Sequence, residues 1–284
     1  MGGRFRALLV AVASSGSLLF AWLGAATVAL VVLRHGYREG LWVLLWASLP
    51  ALLLTQLTGD SSVLVLLVGT AALSVVLHAT ASLTLAAVAS AGVAVLTGLA
   101  LLAFGQSLLA ELAQVLGTFF ESLEKQALEA GSGPIVLLRP TPVQLAGMMG
   151  AANGALSFLC LALARYWQAA LYNPGGFGAE FRDLRLPPVW VGLLSVAALA
   201  LAMGGLSYRS WAASLLLPLT MGGFALLHAR ARHRGQGSFW LTGMYLVWLL
   251  FDAAKLALVG LVIGDAVMNF RRRWDSSKNG DDNG

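Results

Sequence analysis

Between residues 82 and 104 the chain reads SLTLAAVASAGVAVLTGLALLAF, an apolar stretch without one Asp, Glu, Lys or Arg. An α-helix rises ~1.5 Å per residue and the hydrocarbon layer is ~30 Å thick, so about 20 such residues cross a bilayer once. Further apolar segments lie at 7–33, 41–57, 62–77, 142–164, 188–206, 211–229 and 239–270. Of the 284 residues, 58% are hydrophobic and 11% charged, with a mean hydropathy of +0.80. Soluble domains carry about 25% charged residues, so a water-soluble fold is excluded. The fold class expected is all-α, a polytopic integral membrane helical bundle of about eight segments. It forms one domain over residues 1–274, followed by a disordered tail over 275–284.

Segments 7–33 and 239–270 are longer than one crossing requires, reaching about 40 Å and about 48 Å. The eighteen Lys and Arg residues bear on how they run. If each long segment crosses once, the positive residues divide almost evenly between the two sides, against the usual cytoplasmic excess. If each doubles back, fourteen face one side: Arg4, Arg6, Arg34, Arg38, Arg165, Arg182, Arg185, Arg230, Arg232, Arg234, Arg271, Arg272, Arg273 and Lys278. Lys125, Arg139 and Arg209 then face the other, and Lys255 stays within the last segment. The second arrangement is preferred, with the first and last segments broken or re-entrant and the basic side cytoplasmic. Ser14-Ser15-Gly16-Ser17 interrupts the first segment, and Asp252 to Lys255 the last.

The stretch 105–141 is the one sizeable extramembrane part. Leu108, Leu112, Leu116, Phe119, Leu123 and Ala127 recur at helical spacing, with Glu111, Gln114, Glu121, Glu124, Lys125 and Glu129 opposite, which predicts an amphipathic helix. Its acidic balance suits the extracytoplasmic surface, away from the anionic inner leaflet. It is read either as a lid over a cavity or as a helix resting on the bundle or in the interface.

Asp252 and Lys255 are the sharpest candidates for a ligand or ion site, because ionisable groups at membrane depth cost ~2.5–3.5 kcal/mol on insertion scales unless paired or hydrated. Their spacing of three puts them on one helical face, so a self-neutralised pair holding a helix break is an equal reading. Asn153 is a further polar candidate at membrane depth. It lies beside Gly150 and Gly154, whose spacing, like that of Gly260 and Gly264, lets helix backbones approach closely. The turn Asn173-Pro174-Gly175-Gly176 precedes a short amphipathic helix that Pro187 stops. Asn173, Phe177, Phe181, Arg182 and Arg185 in this cytoplasmic interfacial loop-helix over 172–187 are candidates for partner docking; a surface anchor joining two spans is the alternative.

Other chemistries are disfavoured. The single cysteine, Cys160, lies inside an apolar run, so it can form neither an intrachain disulfide nor a thiol cluster. His228 and His233 have no metal spacing and sit among Arg230, Arg232 and Arg234, which repel a cation. No metal and no other cofactor is expected. Glycine-rich phosphate-binding patterns are missing, and the positive residues are spread over short loops, so nucleic acid is not an expected partner. Trp42, Trp167, Trp190, Trp211, Trp240 and Trp274 lie near segment ends as an aromatic belt.

The stretch 173–187, the basic turn Arg34-His35-Gly36-Tyr37-Arg38-Glu39-Gly40 and the ending from Gly264-Asp265 through Phe270-Arg271-Arg272-Arg273 resemble the YybS-like family of bacterial inner-membrane proteins over nearly the whole chain. That family is distantly similar to substrate-binding subunits of energy-coupling-factor transporters and to the rod-shape protein MreD. The chain departs from the pattern at Asp252 and Lys255, where the family has prolines. The resemblance implies a bacterial inner-membrane location and carries over no binding residue. The function expected is a small-molecule binding or transport subunit in contact with membrane lipids and an energising partner. The alternative is a cell-envelope scaffold or assembly protein without its own ligand. An enzyme is not expected, since no nucleophile, metal set or carboxylate pair converges.

Overall fold

The computed structural model describes residues 2–131, 133–271 and 274. Twelve helices and no strand occur among the described residues. The expected tail, Arg272, Arg273 and Lys278 lie outside them. In order the helices are α1 (Gly2–Ser15), α2 (Ala21–His35), α3 (Tyr37–Thr58), α4 (Ser62–Thr80), α5 (Leu83–Phe104), α6 (Gln106–Glu129), α7 (Pro142–Tyr172), α8 (Gly176–Asp183), α9 (Pro188–Met203), α10 (Leu206–His233), α11 (Ser238–Leu250) and α12 (Asp252–Met268).

Local chemistry sets the boundaries. Ser82 caps α5 by accepting from the Leu85 amide at 3.2 Å. Thr141 and Gln144 form a reciprocal capping box at the start of α7, where Pro142 lacks the amide hydrogen that would otherwise be unsatisfied. Gly59, at φ +74°, closes α3 in the left-handed conformation that glycine adopts without penalty.

α5 and α7 form the centre, with α10 against both. α1–α4 cover one flank, and α9, α11 and α12 the other. The α5–α7 approach depends on glycine: a Cβ at Gly150 would sit 2.4 Å from the Ala94 carbonyl oxygen, and one at Gly154 2.8 Å from that of Ser90. The first small-residue pair is therefore a packing seam. The second is not, since a Cβ at Gly260 would meet nothing within 4 Å and one at Gly264 only the Phe270 ring. Apolar side chains also cover the outer girth, among them Leu96, Val196 and Leu199, each more than 60% exposed. Such a surface is stable against lipid tails and not against water, so the protein is membrane-embedded.

Five helices are long and apolar enough to cross a bilayer: α3, α4, α5, α7 and α10. Counting each bent pair as one span gives up to seven, with α8 and α9 bent by 68° and α11 and α12 by 115°. Segment 188–206 yields the 16-residue α9, whereas 142–164 extends into the 31-residue α7. The first segment breaks after Ser15, and α1 folds back along α2, where Gly24 lies against Ser14 and Ala11.

This folding-back gathers the basic residues. The Arg34 guanidinium donates to the Tyr172 hydroxyl, Gln168 donates to the Leu33 carbonyl at 3.2 Å, and Arg165 pairs with Glu180 at 2.8 Å. Phe5 and Arg38 line one hollow at the same end. At the opposite end Gln144 donates to the Leu206 carbonyl at 3.0 Å, and Trp211 to that of Val143 at 3.0 Å. Helix α6 rests there on Leu101, Leu145, Ala146 and Trp211 through its buried Leu109. Its Glu124 accepts from the Leu137 amide and pairs with Arg139.

The seam gives a direct test. Gly150→Ala should destabilise the protein by about 1–3 kcal/mol through overpacking and lower Tm in detergent. Gly92→Ala, whose Cβ would meet nothing within 4 Å, should leave Tm unchanged or raise it. Equal behaviour of the two variants would show that α5 and α7 do not meet through Gly150.

Candidate functional site

Two breaks in the helical pattern create the site. After α7 the Asn173-Pro174-Gly175 turn, with Gly175 at φ +84°, sends α8 across the basic end of the bundle. After α10 the chain reverses into α11, which stops at Phe251, and α12 sets off at 115° to it. Between these elements lies a cavity of about 720 Å³ lined by α7, α8, α10, α11 and α12. Its walls are mainly apolar, with Phe158, Leu217, Met221 and Phe224 from the central helices.

The polar groups are few and concentrated. Arg182 and Lys255 both line the cavity, together with His228, Tyr245 and Thr220. The His228 Nδ1 lies 2.9 Å from the Phe224 carbonyl oxygen, an acceptor, so Nδ1 carries the proton and donates. Nε2 is then free to accept from the Tyr245 hydroxyl at 3.4 Å. Phe181 meets the His228 ring edge-on at 5.4 Å and stacks with Phe177 at 6.1 Å. Across the cavity, Phe224 touches both Tyr245 and Trp248, at 4.9 and 5.1 Å between ring centroids.

Asp252 opens α12, and its Oδ1 accepts from Lys255 Nζ at 2.7 Å. The pair is not buried: the side chains are 91% and 44% exposed. The self-neutralised pair at a helix break is thus present, while Lys255 also lies 5.9 Å above the Trp248 ring and faces the cavity. Asp252 does not line it.

Arg271 holds the floor in place. It is 5% exposed, donates to the Arg182 carbonyl and, at 3.1 Å, to the Leu184 carbonyl, and lies 3.8 Å from the Asp265 carboxylate. Burial pulls its guanidinium below the ordinary arginine range, and Asp265 opposes that shift. The end of α12 is thereby tied to the segment carrying Arg182.

Lys255, Phe177, Phe181 and Arg182, expected to serve two separate roles, thus meet in one cavity. Phe177 and Phe181 are half-buried and pack against the core, whereas Asn173 and Arg185 are exposed. Asn153 lies elsewhere, donating to Thr97 Oγ1 at 2.9 Å across α7 and α5 beside a separate hollow of about 260 Å³. Of the two readings of the 105–141 helix, the packing agrees with the one that rests on the bundle: α6 seats on a packed cluster, and the cavity described above lies toward the opposite end. Sequence reading missed His228, Tyr245 and Trp248. Their signal was the spacing of four from Phe224 to His228 and of three from Tyr245 to Trp248, each marking one helical face. Among the described residues no cluster of His, Cys, Asp or Glu could hold a metal ion.

No family model, curated protein or solved structure matches this chain.

Replacing Arg271 with Met would leave two buried carbonyls without their donor, at a cost of about 1–3 kcal/mol. The variant should melt at a lower temperature and be cleaved faster by protease within 176–187. Arg271→Lys should not restore the wild type, because an ammonium cannot reproduce the guanidinium's planar donors. Unchanged melting and cleavage in both variants would show that Arg271 does not secure α8.

Proposed function

We propose that the protein is a multi-pass bacterial inner-membrane subunit that binds a hydrophobic small molecule and works with a partner protein in its transport. The observation that carries this reading is the 720 Å³ cavity bounded by α7, α8, α10, α11 and α12. Small-molecule sites span ~300–1,000 Å³ and combine apolar walls with a few convergent polar groups, and this cavity has both features. A scaffold has no need of such a space between helices, and nothing in the cavity favours that alternative.

The same proposal places the basic end in the cytoplasm by the positive-inside rule. The chain then reaches the outer side at the α3–α4 turn, through α6 and at the α9–α10 turn, with α1–α2 and α11–α12 as short hairpins dipping from the cytoplasmic face. The ligand cavity accordingly opens in the inner half of the bilayer. An energising partner would dock at the cytoplasmic end, where Asn173 and Arg185 remain exposed. The likeness to YybS-like proteins supports the location, and their distant similarity to transporter binding subunits supports the role.

Filling the cavity tests the reading. Native mass spectrometry of the full chain, released gently from its own membranes, should show a stoichiometric hydrophobic molecule. Ala162→Trp, which places an indole in the cavity wall, should fold with a similar Tm and lose that molecule. A wild type with nothing bound, or a variant that retains the molecule, would refute the cavity as its site.

A further inference from the structure

The proposed function leaves the ligand's chemistry open, and the cavity's charges narrow it. Among the residues lining the cavity, Arg182 and Lys255 carry full positive charge, and no Asp or Glu lines it. We propose, building on the cavity as the ligand site, that it binds an anionic amphiphile, an acidic headgroup on an apolar tail, entering sideways from the inner leaflet. The headgroup meets Arg182 near the interface, and the tail lies along the Phe158, Met221 and Phe224 wall.

Three observations assign the ends. First, Arg182 has no ion pair among the described residues, whereas its neighbours do: Arg165 is engaged by Glu180, Arg271 by Asp265 and Lys255 by Asp252. An unpaired guanidinium facing an apolar space favours a carboxylate or phosphate, which it can grip through two parallel donors. Second, α8 holds Arg182 at the basic end of the bundle, where a lipid headgroup would lie, and Arg271 fixes its backbone there. The His228 and Tyr245 polar groups sit beside the same end, linked to Phe181 by ring contact. Third, apart from Thr220 and Gly178 the other wall residues are aliphatic or aromatic, so the rest of the cavity suits an apolar tail. Lys255 is already neutralised by Asp252, which leaves Arg182 as the anchoring charge.

Binding is measured with the full chain in nanodiscs of zwitterionic phosphatidylcholine, using dodecyl phosphate, dodecanoate and dodecanol as probes. Dodecyl phosphate or dodecanoate should bind at least tenfold more tightly than dodecanol. Arg182→Gln should weaken binding of the two anions at least tenfold relative to dodecanol and so remove that preference, and Arg185→Gln, on an exposed residue outside the cavity, should keep it. Preferential capture of dilauroylphosphatidylglycerol over the single-chain anions would identify a phospholipid as the source, and the reverse a free fatty acid or alkyl phosphate; both support the proposal. If dodecanol binds as tightly as the anions and Ala162→Trp abolishes all three, the cavity stands as a site and the anionic preference is overturned. If none of the probes binds, the cavity reading falls with it.

Discussion

The bundle depends on how closely α5 and α7 approach. In lipid no hydrophobic force draws one helix to another, so association rests on dispersion contacts between matched surfaces. Gly150 and Gly154 lower the α7 surface enough for the Ala94 and Ser90 carbonyls of α5 to lie against it. Ser157, Phe158 and Leu161 continue the same face into the core. Every other long helix packs on this pair directly or through one neighbour. The seam therefore sets where the two flanks stand, and the cavity is the space that one flank leaves unfilled.

That space follows from the breaks in helix geometry. The 115° bend at Phe251 holds α12 across α10 through Leu258 on Gly223, while α11 reaches only as far as Trp248 and Leu250. On the other side, α8 turns across the end of the bundle rather than continuing α7. Backbone groups freed at such breaks need partners within a bilayer. Asp252 and Lys255 pair with each other at the bend, and Arg271 satisfies the Arg182 and Leu184 carbonyls after α8. Lys255 belongs both to the pair at this bend and to the lining of the cavity.

Much of this was legible in the residues. Uninterrupted apolar runs determine the helical membrane class, and the clustering of Lys and Arg agrees with a first segment that folds back at Ser15. The acidic stripe of 105–129 gives α6. Segment lengths misled at α9 and α7, because apolarity does not mark where a helix leaves the hydrocarbon: Ala164 continues without a break into the amphipathic turns that end at Tyr172. The site was half legible. Lys255 and Arg182 stood out as charges, but their meeting depends on tertiary packing over a long sequence separation, which no local period encodes. An amphipathic helix does not declare which surface its apolar face covers, so Phe177 and Phe181 were read as docking candidates and not as part of the cavity wall. His228 was set aside for want of a metal spacing, and only its contacts with Phe181 and Tyr245 place it beside the cavity.

The central claim is that the α7–α12 cavity holds an amphiphile with its acidic end at Arg182. A high-resolution density map of the full chain in nanodiscs formed from its own membrane lipids examines that claim most directly. The account predicts one elongated feature between Phe158 and Phe224, ending in a headgroup within hydrogen-bonding distance of the Arg182 guanidinium. A cavity closed by α11 packed against α7, or a feature whose polar end lies away from Arg182, would contradict it.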